Sequence, residues 1–163
     1  MYSTNDYVVY GSTGVCKVVE ISQASFGGKK SREYYVLSPV FGNQVDIFIP
    51  TDKQETALRP VLSKDEVMRL IDAMPGMESA WIADDSFRKA TFSEIIQSGD
   101  QERIIRLIKM IFNRTIVLEK SGRKLGNTDT EVLKQAEKIL NQEFAIALDL
   151  QPEQVSPLIK EQI

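Results

Sequence analysis

Hydrophobic and polar positions follow two different patterns along this chain, and the change falls near residue 62. Before it, hydrophobic residues alternate with polar ones or occur in short runs, which predicts β-strands. Turns rich in glycine, serine and asparagine separate the runs, and Pro50 ends the last one. Strands this short and closely spaced favour a small, strongly bent antiparallel barrel of the SH3- or Tudor-like kind. The predicted strands cover residues 7–10, 15–21, 33–37 and 45–49.

From Ser63 onward the hydrophobic positions recur every three or four residues, which is the period of an α-helix. Ser63 and Glu66 form the capping-box pattern of a first helix, which Pro75 and Gly76 end. The residues after Pro152 form either a short fifth helix or a frayed tail. Three more helices are predicted at about 79–97, at 100–119 with Asp100 as its cap, and after a second capping pattern at 128–131.

These patterns predict an α+β protein, with a barrel domain in residues 1–62 and a compact helical bundle in residues 63–163. Hydrophobic residues make up 42% and charged residues 26% of the chain, which is ordinary for a folded protein. No apolar run approaches 18 residues and the start lacks a signal-like basic flank, so we expect a cytoplasmic protein. The single cysteine excludes an internal disulfide and fits a reducing compartment.

Histidine is absent from the sequence, which excludes Ser-His-Asp and Cys-His catalysis and histidine-ligated zinc. Cys16 lies in an alternating hydrophobic run, so we expect a buried thiol rather than a nucleophile. Neither the P-loop nor the glycine-rich dinucleotide motif occurs. Asp84 and Asp85 fall early in a predicted helix, where carboxylates favour the positive end of the helix dipole. We therefore expect no enzymatic activity, no cofactor and no metal.

Basic residues are concentrated between residues 103 and 124. Seven basic residues and one acidic residue give this stretch a net charge of +6 in a chain whose net charge is −3. On the predicted third helix the basic residues recur opposite the hydrophobic stripe. They form either a solvated helix face or a surface that neutralises phosphates without reading bases. The members of this basic stripe are Arg103, Arg106, Lys109, Lys120, Arg123 and Lys124.

Two aromatic residues are candidates for contact surfaces. In the last predicted strand Phe48 lies on the face opposite Ile47 and Ile49, so it is either a surface contact or a lid over a second small core. Trp81, the only tryptophan, is expected in the first turn of the second helix, with Arg88 two turns later. A large apolar side chain beside basic ones can wedge into a DNA minor groove. A lone tryptophan in a small bundle is alternatively a core residue.

A set of sequence motifs occurs in a fixed order over residues 1–150. The first half contains DYVVY at 6–10, GVCKVVEI at 14–21, EYYVL at 33–37 and IFIP at 47–50. The second half contains Trp81, the Arg88-Lys89 pair, EIIQSGD at 94–100, KSGRKL at 120–125 and AEKILNQEFA at 136–145. Each motif is weak alone, but the ordered set resembles the CarD family of bacterial transcription regulators, and most of all its CarD/CdnL branch.

The resemblance implies a Tudor-like first domain that binds the β1 lobe of the RNA polymerase β subunit. It also implies a helical second domain that contacts promoter DNA at the upstream edge of the melted bubble. In this family the tryptophan is a minor-groove wedge and neighbouring basic residues hold the DNA backbone, which prolongs the open complex without sequence-specific binding. The residues expected at DNA are Trp81, Arg88, Lys89, Arg103, Arg106, Lys109, Arg123 and Lys124. Those expected at polymerase are Lys29, Lys30, Arg32, Ile47, Phe48 and Ile49.

Two positions depart from the family pattern. Some relatives carry arginine where Phe48 stands, so the polymerase contact is expected to be more apolar here. Some relatives place basic residues directly after the tryptophan, where this chain has residues 82–85 with two aspartates. The basic stripe rests on spacing alone. The second hypothesis is an adaptor that binds polymerase or another protein and ignores DNA, and an enzyme that uses Asp84, Asp85 or Glu94 is a third. We expect a monomer that does not bind membranes.

Overall fold

The computed structural model describes residues 1–25, 27–28, 30–42, 45–53 and 58–163 of the protein. The chain divides into two compact units, Met1–Val61 and Leu62–Ile163. An antiparallel sheet forms the first unit and helices form the second, so the predicted α+β class is confirmed. None of the described helices is both long and apolar enough to cross a membrane.

The first unit contains a five-stranded antiparallel sheet within its described residues. The strands are β1 (Tyr7–Tyr10), β2 (Gly14–Ala24), β3 (Arg32–Pro39), β4 (Ile47–Pro50) and β5 (Leu58–Pro60). Their order is β4-β3-β2-β1-β5, an arrangement consistent with a Tudor-like fold. The sequence did not predict β5, because three residues are too few to show alternation. The last predicted strand began two residues too early and ended one residue too early, and Val45 lies outside β4 with its side chain exposed.

A hydrophobic cluster on one face of the sheet forms the core of the first unit. A bulge in β2 makes Val18 pair with Leu37 and Glu20 pair with Val36, so the intervening Val19 is the extra residue and is exposed. Cys16 is buried, and burial raises the pKa of its thiol to about 11. The thiol therefore stays protonated at neutral pH. The cluster consists of Val8, Cys16, Val18, Tyr35, Leu37, Ile49 and Leu58.

The second unit consists of five α-helices. They are α1 (Lys64–Ala73), α2 (Asp85–Ser98), α3 (Gln101–Lys120), α4 (Asn127–Leu148) and α5 (Pro152–Lys160). Ser63 and Asp100 cap α1 and α3 as the sequence predicted. Their shared core is apolar, and its largest fully buried side chains include Met74, Phe92, Ile104, Leu107, Ile111, Leu140 and Phe144.

Two predicted helix starts in this unit were wrong. The second helix begins at Asp85 rather than near residue 79, because the carboxylate of Asp84 accepts a hydrogen bond from the Phe87 N–H and caps the helix there. Trp81 therefore precedes the helix instead of lying in its first turn. The fourth helix begins at Asn127 after Gly126, ahead of the capping pattern predicted at residues 128–131.

Candidate functional site

Trp81 lies in the non-helical segment that joins a short 3-10 turn, Met74–Gly76, to α2. Its side chain is half-buried and packs against the helical core. The indole meets the ring of Phe92 edge to face, with 6.2 Å between the ring centroids. Trp81 is therefore neither a fully buried core residue nor a freely projecting side chain.

Two arginines contact the indole of Trp81. The guanidinium carbon of Arg88 lies 4.7 Å from the ring centroid, and that of Arg114 lies 5.4 Å from it. Both distances fall within the range of a cation–π interaction. Sequence spacing indicated that Arg88 lies near Trp81. It did not indicate Arg114, because Arg114 belongs to α3 and only the packing of that helix brings it here.

Arg88 is buried, with 8% of its surface exposed, and its five N–H groups have acceptors within the unit. Nε and one terminal nitrogen donate to the carboxylate of Asp129 at 3.2 and 3.3 Å, and that nitrogen also donates to Asp85 at 2.7 Å. The other terminal nitrogen donates to the carbonyls of Ile82 and Ala83 at 3.0 and 3.4 Å. Arg88 thus ties the Trp81 segment and α2 to α4.

The electrostatics of this buried cation are set by its two carboxylate partners. Burial by itself lowers the pKa of Arg88, but hydrogen bonds and charge interactions with Asp129 and Asp85 raise it above the ordinary value. The side chain of Asp129 is 9% exposed, whereas that of Asp85 is 77% exposed. Asp129 is consequently the interior partner whose loss would leave Arg88 as an unpaired buried charge.

The first three residues of the basic stripe also have partners inside the unit. Arg103 pairs with both carboxylate oxygens of Glu94 at 2.9 and 2.7 Å, which lowers the pKa of Glu94. Arg106 donates to the carboxylate of Glu102 and to the carbonyl of Glu78. The ammonium of Lys109 donates to the carbonyls of residues 74 and 75 at 2.8 and 3.0 Å. These side chains hold α2 and the segment leading to Trp81 against α3.

The remaining predicted DNA residues are placed differently. Lys89, Arg123 and Lys124 are exposed, and none of them forms an ion pair or hydrogen bond through its side chain within the described residues. Arg123 and Lys124 lie in the turn between α3 and α4, five or six residues before Asp129. Five residues of chain span at most about 18 Å, so the backbone of Lys124 lies within that distance of the backbone of Asp129.

The predicted polymerase residues of the first unit are partly brought together on β3 and β4. Phe48 is 44% exposed and meets Tyr34 edge to face, with 6.4 Å between ring centroids. Phe48 pairs with Val36 across the strands and points away from the core cluster. Arg32, on the same face of β3, forms an ion pair with Asp52 at 2.9 Å. The sequence did not single out Tyr34 or Asp52.

The other predicted polymerase residues differ in exposure. Ile47 is half-buried, and Ile49 is buried in the core cluster and does not present surface. Lys30 is exposed. Lys29 lies outside the described residues. The aromatic pair of Phe48 and Tyr34 is therefore the central feature of this face.

In a comparison with known families, residues 2–62 match the model of the CarD-like/TRCF RID domain. The match confirms the resemblance that the motifs of the first half carried. It makes the first unit an RNA polymerase-interacting, transcription-related domain, which is a protein-interaction domain rather than a catalytic one. No curated protein matches the chain.

Proposed function

We propose, on the premise that residues 2–62 form a CarD-like/TRCF RID domain, that this protein bridges RNA polymerase and promoter DNA. The first unit binds the β1 lobe of the polymerase β subunit. The second unit contacts the upstream edge of the melted bubble, where Trp81 wedges into the minor groove and slows the collapse of the open complex. The protein regulates transcription without reading a specific operator sequence.

The surroundings of Trp81 are the observation that supports the DNA contact. A wedge has to be held rigidly, because a freely rotating side chain loses conformational entropy on insertion. Phe92 and two guanidinium groups hold the indole, and Trp81 is only partly buried. The exposed cations Lys89, Arg123 and Lys124 are available to phosphates of the DNA backbone.

Arg88 has a different role in this proposal from the one its position in the sequence suggested. Its N–H groups are all occupied within the unit, so it orients Trp81 instead of binding a phosphate. Arg103, Arg106 and Lys109 likewise act first as braces for the segment that carries Trp81. The DNA backbone is held by the exposed cations.

The aromatic pair on β3 and β4 supports the polymerase contact. Phe48 and Tyr34 present aromatic surface on a strand pair, and aromatic residues are enriched among the side chains that dominate binding energy. Polymerase binding then raises the local concentration of the second unit at the promoter, so weak DNA affinity is sufficient. Free DNA binding is expected near 10⁻⁴ to 10⁻⁶ M, the range of non-specific complexes, and depends steeply on salt.

The direct test is the lifetime of the open complex formed by cognate polymerase with and without this protein. Wild type is expected to lengthen the lifetime, and Trp81→Ala is expected to remove most of that effect while retaining polymerase binding. Trp81→Phe keeps an aromatic ring and should retain part of the effect if the alanine variant folds poorly. Phe112→Ala, which removes another partly exposed aromatic residue of the same unit, should behave like wild type.

A polymerase adaptor without DNA contacts is the second candidate. It is favoured by the internal bonds of Arg103, Arg106 and Lys109, which leave fewer cations for phosphates. Charge reversal at those three residues would disturb the fold and test neither hypothesis cleanly. Reversal at Arg123 and Lys124 separates the two, because an adaptor would keep its full effect on the polymerase whereas a DNA-contacting protein would lose most of it.

A further inference from the structure

Arg114 has a property that Arg88 lacks, although both contact the same indole. The guanidinium of Arg114 lies 5.4 Å from the Trp81 centroid, and the side chain is only partly buried. Within residues 58–163, all of which the structure describes, it forms no ion pair and no hydrogen bond. Arg88 in contrast satisfies all its donors inside the unit.

The chemistry of a guanidinium explains why this difference matters. A cation–π contact uses the positive charge, whereas the five N–H groups point outward in the plane of the guanidinium. Contact with Trp81 therefore restrains the side chain of Arg114 without consuming its donors. A restrained guanidinium with unused donors at the surface matches the paired oxygens of a phosphate, which it can bind with two parallel hydrogen bonds.

We propose that Arg114 binds the DNA backbone phosphate next to the base step that Trp81 contacts. This inference rests on the proposed function and adds a residue that neither the motifs nor the spacing of the basic stripe assigned to DNA. The two arginines at the indole then have separate tasks. Arg88 fixes the ring from the interior through Asp129, and Arg114 connects the ring to the ligand.

A phosphodiester fits Arg114 better than a carboxylate of a protein partner does. Arg114 lies on the C-terminal half of α3, and the turn that follows this helix carries the exposed Arg123 and Lys124. Nucleic acid presents a phosphate and a base at every nucleotide. A unit with several cations and an aromatic side chain can bind the phosphates through the cations and stack on a base through the ring. Because Trp81 is the only tryptophan, a ligand on Arg114 also changes the environment of the sole indole fluorophore.

The experiment measures binding of the full chain to a forked DNA duplex as a function of salt, by DNA anisotropy and by Trp81 fluorescence. Arg114→Gln is expected to lower the slope of log affinity against log salt by about 0.9, the value for one phosphate contact. Arg69→Gln removes the same charge from an exposed position on α1 and is expected to leave the slope unchanged. Circular dichroism and urea unfolding establish that both variants fold.

A change in the DNA makes the test independent of the stability of the variant. A single neutral methylphosphonate at the phosphate beside the fork should lower the wild-type slope by about 0.9 and should lower that of Arg114→Gln no further. If wild type binds the DNA and the slope of log affinity against log salt is the same for wild type and Arg114→Gln, this inference is wrong and the proposed function still stands. Absence of any wild-type binding at low salt would overturn both.

Discussion

The two units hold their surface aromatic residues in different ways. Phe48 lies on a strand, and backbone pairing with β3 sets its position and direction. Trp81 lies in a segment that is neither helix nor strand, and side chains from α2 and α3 hold it. A strand ladder tolerates the loss of one neighbouring side chain. A ring held by side chains depends on each of them, and here also on the buried ion pair behind Arg88.

The largest expected effect is a loss of folding free energy on substitution of Asp129, the buried partner of the arginine that holds Trp81. Asp129→Asn leaves the buried Arg88 without its interior counter-charge, and breaking a buried pair in this way costs about 3–5 kcal/mol of folding free energy. Urea unfolding followed by circular dichroism measures the loss of folding free energy, and the fluorescence emission of Trp81 reports whether its ring has become more mobile.

Cys16 serves as a control in the first unit, because burial keeps its thiol protonated and shielded. It should stay unreactive to alkylation in wild type and in Asp129→Asn while the first unit remains folded.

Asp85→Asn is the matched control for that prediction, since it removes the same charge from the exposed partner of Arg88. Exposed ion pairs contribute at most about 1 kcal/mol, so this variant should unfold close to wild type. Equal destabilisation by the two substitutions would show that Arg88 does not depend on Asp129 for its position. It would then be wrong that a buried ion pair holds the aromatic residue of the second unit.

The second prediction concerns the aromatic residue of the first unit. Phe48→Ala is expected to weaken polymerase binding about thirtyfold, which corresponds to about 2 kcal/mol for a central interface aromatic. Because backbone pairing holds β4, the folding free energy should change much less. Val19→Ala shortens another exposed hydrophobic residue of the same sheet and should bind like wild type. A Phe48 variant that retains full affinity would place the polymerase contact elsewhere on the unit.

The third prediction separates cations that brace the fold from cations that are available to DNA. The double change Arg123→Gln and Lys124→Gln should lower the salt slope of DNA binding by up to about 1.8, the value for two phosphates, with little change in stability. The double change Arg103→Gln and Lys109→Gln should instead lower the urea midpoint, because their partners lie within the unit. Salt titrations and unfolding curves of both variants check this division, and the reverse pattern would contradict it.

The smallest expected effect is the pH dependence of the pair between Glu94 and Arg103. Its hydrogen bond with Arg103 holds the pKa of Glu94 below the ordinary glutamate value. The pair therefore adds its full contribution to folding stability at pH values above the ordinary pKa of glutamate, about 4.3. That contribution is lost as the pH falls through the lowered pKa of Glu94. A carbon-detected NMR titration of Glu94 should show a midpoint that returns to the ordinary range in Arg103→Gln and stays low in Arg69→Gln.

Local patterns in the sequence determined most of the secondary structure and excluded histidine-dependent chemistry. Alternation predicted β2, short runs of strand-forming residues beside turns predicted β1 and β3, and the oxygens of Ser63 and Asp100 marked the helix starts that they cap. These signals succeed because strand alternation, helical period and capping depend on residues a few positions apart. These signals missed β5 and misplaced the starts of β4, α2 and α4 by one to six residues.

Only the tertiary structure decided which charged residues brace the fold and which remain available. The sequence placed Arg88 at DNA and gave Arg114 no role, yet Arg88 is buried against Asp129, whereas Arg114 faces the indole with its donors unused. Their partners are far away in sequence and meet through the packing of α2, α3 and α4. The spacing of residues within one helix cannot predict these contacts, because they depend on how the apolar faces of separate helices pack together.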